Sequence, residues 1–205
     1  AKPQTECVVV LEADAQTFVF HDVPTAPVPS LLRGFSAPVI LDCDYDATEL
    51  ALLLRHDPDG FNRWEASQQL ATLAYVELRD GGASHALEAW LDALSALFAH
   101  NDIEPALLAN LLTPPGEVEW AEREASVDPA RIHALRQQLQ RQLAERIGAE
   151  ALHQRYLALA GEASLSLDAA SQARRRLKQR ALDLLCLIDP GVAQPLAATQ
   201  YDSAP

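Results

Sequence analysis

The stretch GFSAPVILDCDYDATEL, residues 34–50, decides how this chain divides. Asp42, Asp44 and Asp46 alternate within it. Alternate oxygen ligands open an EF-hand calcium loop, which then needs a glycine for its sharp turn and a closing bidentate glutamate. Ala47 stands where the glycine belongs and Leu53 where the glutamate belongs, so the loop fails at both. A period of two accounts for every residue instead. Leu41, Cys43 and Tyr45 share one face of a strand, and the aspartates share the wet face. Asp46 with Glu49 three residues later is a capping box in which Asp replaces the usual Ser or Thr. The stretch predicts a strand that ends and a helix that begins.

Upstream of Asp46 the signals are those of strands. Residues 7–12 (CVVVLE) form a β-branched run, and residues 16–21 (QTFVFH) alternate, with Phe18 and Phe20 on one face; ADA between them suits a tight connection. Residues 23–30 (VPTAPVPS) carry three prolines, which exclude a central strand. Residues 31–34 pair briefly, and 35–45 form a last strand in which Pro38 implies an edge or a bulge. Downstream the period is helical over residues 47–56, 60–79, 84–99, 104–112, 117–125, 129–146, 149–160, 168–188 and 191–199. Asp128-Pro129 reads as an N-cap with proline at the first helical position. Short links predict antiparallel helical neighbours, stacked as a curved, superhelix-like array. The expected fold is therefore α+β and predominantly α: a partial antiparallel β-sandwich over residues 1–46, then a helical array over 47–205.

The strand portion is incomplete as a free unit, because a two-layer sandwich wants about seven strands. The Phe18/Phe20 face has no opposing layer here. An open β edge beside an apolar face predicts self-association of the isolated chain. There is no methionine, even at position 1, and AKPQTEC reads as a cut inside a longer polypeptide.

Composition excludes some functions. The 205 residues carry 29 acidic against 16 basic side chains, a net charge of -13, which opposes nucleic-acid binding. No apolar run is long enough to span a membrane. Cys7, Cys43 and Cys186 lack the close spacing of a zinc or redox motif and read as reduced thiols in a cytoplasmic protein.

No catalytic constellation emerges from the residues. The six histidines form no H-E-x-x-H zinc motif. Glu150 and His153 have the i, i+3 spacing of a di-iron bundle, but no second such pair exists, so an exposed polar face is the expectation. Ser30, Ser36 and Ser67 lack a nucleophile elbow, and no phosphate-binding glycine loop occurs. Arg174, Arg175, Arg176, Lys178 and Arg180 make a basic run that reads as a solvated helix face. Trp64, Trp90 and Trp120 suit core or interface packing. Catalytic, cofactor-binding and metal-ligating residues are expected to be none.

Two long runs go further. PVPSLLRGFSAPVIL (residues 27–41) and LLRHDPDGFNRWEASQQLA (residues 53–71) closely resemble the segment that follows the catalytic domain in the bacterial aminopeptidase N family of zinc aminopeptidases. Later positions, from Leu112, Pro114 and Glu119 to Asp128-Pro129, Ile132, Arg136 and Leu139, fit the same region. The resemblance implies a non-catalytic fragment: the last strands of a small β-sandwich plus the first part of the helical C-terminal domain. In that family the helical domain caps the active site and walls the chamber through which peptides reach zinc. The family's H-E-x-x-H and G-A-M-E-N motifs are absent from this sequence, so zinc belongs to the parent enzyme and not to this fragment. The implied partners are the catalytic domain of the same polypeptide and peptide substrates. Arg33, Phe35, Arg55, Arg63 and Trp64 lie in the densest matching runs and are expected to support the sandwich–helix junction or the chamber. The competing reading is a stand-alone helical-repeat module that binds a peptide or protein.

Overall fold

The computed structural model describes residues 6–82, 84–159 and 166–202; for Phe35 the side chain is outside what is described. Nine helices follow Asp46 among these residues: α1 (Ala47–His56), α2 (Gly60–Asp80), α3 (His85–Ala99), α4 (Pro105–Leu111), α5 (Glu117–Ala121), α6 (Pro129–Ile147), α7 (Ala149–Ala158), α8 (Ala169–Ile188) and α9 (Pro190–Asp202). Acidic side chains start several of them. Asp46 Oδ1 accepts from the amides of Thr48 and Glu49, at 2.7 and 2.9 Å, while Glu49 returns a carboxylate oxygen to the Asp46 amide at 2.9 Å. Both halves of the expected capping box are present. Asp46→Ala should lower stability by about 1 kcal/mol, readable as a shifted midpoint in urea unfolding.

The β portion is corrected. Residues 6–46 contain no strand and no sheet; they form an irregular extended arm with one 3-10 turn, η1, at Arg33–Phe35. Neither the α+β class nor the partial antiparallel β-sandwich describes this chain. The physical reason is that alternation reports which side of a segment is wet, whereas a strand also needs a neighbour to take its amides and carbonyls. Here the arm's backbone bonds are local: Val39 donates to the Ala37 carbonyl at 3.0 Å and Tyr45 to that of Cys43 at 2.9 Å. Such two-residue closures fold a segment back on itself. The wet-face reading holds only from Asp42 to Asp46: Asp42, Asp44 and Asp46 are exposed and Cys43 and Tyr45 half-buried, but Leu41, expected on the inner face, is exposed as well.

The core lies in the helices. Helices α1, α2 and α3 pack on one another, α3 continues onto α6, and α8 packs against α4, α6, α7 and α9. Trp90 and Trp120 are fully buried, and each finds a partner for its indole N–H: Ser67 Oγ at 3.3 Å and Thr72 Oγ1 at 3.3 Å. Tyr75 stacks on Trp120 with ring centroids 4.4 Å apart. Burying such rings only stabilises if their polar tips are satisfied.

Helix C-termini are closed by arginines sent from other helices. Arg63 Nε of α2 donates to the Leu54 carbonyl of α1 at 3.0 Å. Arg131 of α6 reaches the Arg79 carbonyl of α2 at 2.6 Å. Arg155 of α7 reaches the Phe98 carbonyl of α3 at 2.5 Å and lies over the Phe98 ring. Arg180 of α8 donates from Nε and Nη2 to the Leu112 carbonyl that ends α4, at 3.2 and 2.6 Å, and Arg141 of α6 donates to the Leu187 carbonyl of α8. The last carbonyls of a helix have no partner within it and carry partial negative charge. A guanidinium from a neighbour satisfies them and fixes the distance between two helices at once.

Candidate functional site

The arm meets the helices at one corner, the loop Asp57–Pro58–Asp59 between α1 and α2. Asp57 is buried, and its Oδ1 accepts the Asp59 amide at 2.8 Å, which turns the chain toward α2. Asp59 then caps α2: its Oδ1 accepts from the amides of Phe61 and Asn62, at 2.9 and 3.0 Å. Its other oxygen accepts the Gly34 amide of the arm at 2.9 Å. One carboxylate therefore starts a helix and holds the arm. Leu32 and Gly34, on either side of Arg33, have φ of 54° and 63°. Left-handed backbone of this kind aims amides into a concavity that accepts an anion, here the Asp59 carboxylate. Burial pushes the Asp59 pKa up, but the amides of Asn62, Gly34 and Phe61, with Arg33 nearby, outweigh it and hold the group below the ordinary range.

Asn62 adds two bonds from α2 to the arm, Nδ2 to Ser30 Oγ at 2.8 Å and to the Leu31 carbonyl at 2.9 Å. Tyr45 donates its hydroxyl to the Pro29 carbonyl at 2.7 Å. Between these ties is a cleft of about 270 Å³, whose apolar wall includes Leu31, Leu32, Val39, Leu50 and Phe61.

The corner unites two of the five residues expected to support a junction. Arg33 Nε is 3.8 Å from Asp57 Oδ1. Arg63 is drawn toward Asp57 and Asp102, although burial is the larger influence and lowers its pKa. Trp64 is half-buried one turn along α2, packs on Phe61 with centroids 5.6 Å apart, and faces the start of α4 at Ala106 and Leu107. Arg55 is exposed and away from the corner's bonds. Phe35 ends the 3-10 turn, and its side chain lies outside the described residues. Asp57, Asp59 and Asn62 were not among the expected residues. Asp-Pro as a turn starter and Asp59 as an N-cap before Gly60 were readable signals for them.

The other candidates disperse. Glu150 bonds Gln154 at 2.7 Å and not His153. The basic run of α8 is not one solvated face: Arg174 and Arg176 are exposed, Lys178 lies over the Tyr156 ring, and Arg180 turns inward. Among the described residues no group of three or more His, Cys, Asp or Glu could hold a metal ion, and no helix is long and apolar enough to cross a membrane.

These features define a helical-repeat domain with an N-terminal arm latched to its first two helices. The chain belongs to the family described as a domain of unknown function, DUF3458_C, with ARM repeats, which matches residues 47–205. Residues 1–44 match a companion family, DUF3458, described as an Ig-like fold. The changeover falls at the Asp46 capping box. The chain is similar to aminopeptidase N of Caulobacter vibrioides, 35% identical over 180 residues, covering 87% of this chain and 21% of that protein. It is similar to aminopeptidase N of Escherichia coli K12, 33% identical over 197 residues, covering 92% of this chain and 22% of that protein. A crystal structure of Legionella pneumophila aminopeptidase A in complex with aspartic acid matches with a TM-score of 0.77 and 27% identity, over 90% of this chain and 22% of that one. The chain thus spans about a fifth of the length of the relatives it matches.

Proposed function

We propose that this chain is a non-catalytic part of an aminopeptidase N, an enzyme that removes N-terminal residues from peptides. Its helices serve as cap and peptide-chamber wall. The observation that carries this reading is the continuous match over most of the chain to aminopeptidases N at 33–39% identity, together with the helical fold shared with an aminopeptidase A. Among the described residues no group of side chains could hold zinc; in this reading the metal is held elsewhere in the polypeptide, where it would activate water. Partners in this reading are the catalytic domain of the same polypeptide and peptide substrates. Cys7 and Cys186 are exposed and free, which favours a reducing, cytoplasmic location.

Reading the coding sequence upstream of Ala1 tests the proposal. H-E-x-x-H and G-A-M-E-N in frame support it. A start codon shortly before Ala1 with no peptidase preceding it would instead favour the stand-alone interaction module.

Arg33, Phe35, Arg55, Arg63 and Trp64 remain proposed supports of the junction or chamber. The Arg63 contact to the Leu54 carbonyl makes a packing role the expectation for that residue. Arg63→Ala in the intact enzyme should lower the melting temperature; lost activity with an unchanged melting temperature would assign it to the chamber instead. The apolar arm, with Val8 90% and Ile40 99% exposed, should make the isolated chain self-associate. A monodisperse monomer in concentrated light scattering would refute that.

A further inference from the structure

We propose that Arg33 and Asp57 form a strap, open in this structure, that closes when further polypeptide packs on the arm. This rests on the reading that the chain is part of a larger enzyme. Three unfavourable features coincide at the corner. Arg33 Nε and Asp57 Oδ2 are buried, and neither has a hydrogen-bond partner. The approach of Arg33 Nε to Asp57 Oδ1, 3.8 Å, is an ion contact too long for a hydrogen bond. Leu32, immediately before Arg33, is left-handed at φ 54°, which a branched side chain adopts only under constraint. Buried polar atoms left without a hydrogen bond are costly, and Arg33 Nε and the Asp57 carboxylate are a matched donor and acceptor already in ion contact.

What holds the strap open is Glu6. Its carboxylate accepts from Arg33 Nη1 at 2.8 Å, at a site where Glu6 is 61% exposed. Glu6 stands two residues before the bare run Val8, Val9, Val10 and Leu11, whose exposures range from 47% to 90%. Polypeptide that covers this run must reposition Glu6 with it. Arg33 is then released from a wet partner and turns to the buried one, Asp57. Covering the arm and fixing it to the α1–α2 corner become one event. Asp57 acts here as a positioning residue through Arg33, with Asp59 and Asn62 as constant ties.

Amide hydrogen exchange in the intact polypeptide tests this, comparing wild type with Arg33→Gln. A closed strap predicts that residues 30–36 and 57–62 exchange at least tenfold faster in the variant, with α3 and α8 unchanged. Equal exchange in the two proteins overturns the strap. Glu6→Gln is the second variant: since the closed state no longer uses Glu6, it should leave the same segments as slow as in wild type. Fast exchange in Glu6→Gln would mean that Glu6 is the lasting partner, and would also overturn the proposal. Peptidase activity of the wild type is measured alongside. An inactive wild type with the predicted exchange pattern refutes the enzyme reading and spares the strap, and an active one without the pattern does the reverse.

Discussion

Arg180→Ala is expected to lower the melting temperature by roughly 5–10 °C, from a loss of about 2–3 kcal/mol. Arg180 is the most buried of the arginines that close helix ends. Two of its nitrogens reach the Leu112 carbonyl, and Nη1 donates to Gln140 Oε1 at 3.0 Å. Burial pushes its guanidinium down to about 10, with Asp183 opposing and Arg136 reinforcing, so it stays charged at neutral pH. Truncation removes charge-assisted bonds and leaves the end of α4 with an unpaired buried carbonyl. It also opens a void between α4, α6 and α8. Arg180→Lys should recover only part of the loss, because an ammonium cannot bridge two acceptors with a planar fork. Arg176→Ala, on the exposed side of the same helix, should fall within about 0.5 kcal/mol of wild type. Thermal melts of the three variants check this; an Arg180→Ala melt indistinguishable from that of Arg176→Ala would contradict the cap account.

Asp59→Ala is expected to cost about 2 kcal/mol, adding the loss of an N-cap to the loss of the arm's hold through Gly34. Circular dichroism should show α2 frayed at its start, and protease should cut within residues 30–36. Asp59→Asn keeps an oxygen acceptor for the amides of Phe61 and Asn62 and should lie between. The pH dependence has a definite sign. The folded pKa of Asp59 lies below its ordinary value, so its stabilisation is fully present above pH of about 4. It fades as pH falls through the depressed folded value. Wild type should therefore lose part of its advantage over Asp59→Ala in acid. A stability difference that stays constant from pH 7 down to strongly acid conditions would contradict the assignment.

Most of the helical fold was legible because its signals are local. Asp46 with Glu49, Asp128 with Pro129, and the glycines between periodic runs set boundaries that differ from the structure by only a few residues, apart from α5, which stops at Ala121 where a helix to 125 was expected. The arm was misread because period-two alternation is also local, while pairing is not. Residues 7–12 and 16–21 have the composition of strands and no neighbour to complete a ladder. The junction was half legible. Arg33, Arg63 and Trp64 stand in the runs that carry the family resemblance, whereas Asp57, Asp59 and Asn62 act through contacts with residues roughly thirty positions away or through a turn. A charge run reads as wet, which puts Arg180 on a solvated face, and only the packing of α8 on α4 and α6 turns it inward.

In the proposed reading this chain supplies architecture to a peptidase whose chemistry lies elsewhere in the polypeptide. The most direct test is to measure zinc content and release of p-nitroaniline from amino-acid p-nitroanilides, for the intact polypeptide and for residues 1–205 alone. The account predicts zinc-dependent hydrolysis by the intact polypeptide, abolished by chelation, and neither zinc nor hydrolysis in the 205-residue chain. Hydrolysis by the short chain, or an intact polypeptide that binds no zinc and cleaves nothing, would contradict it.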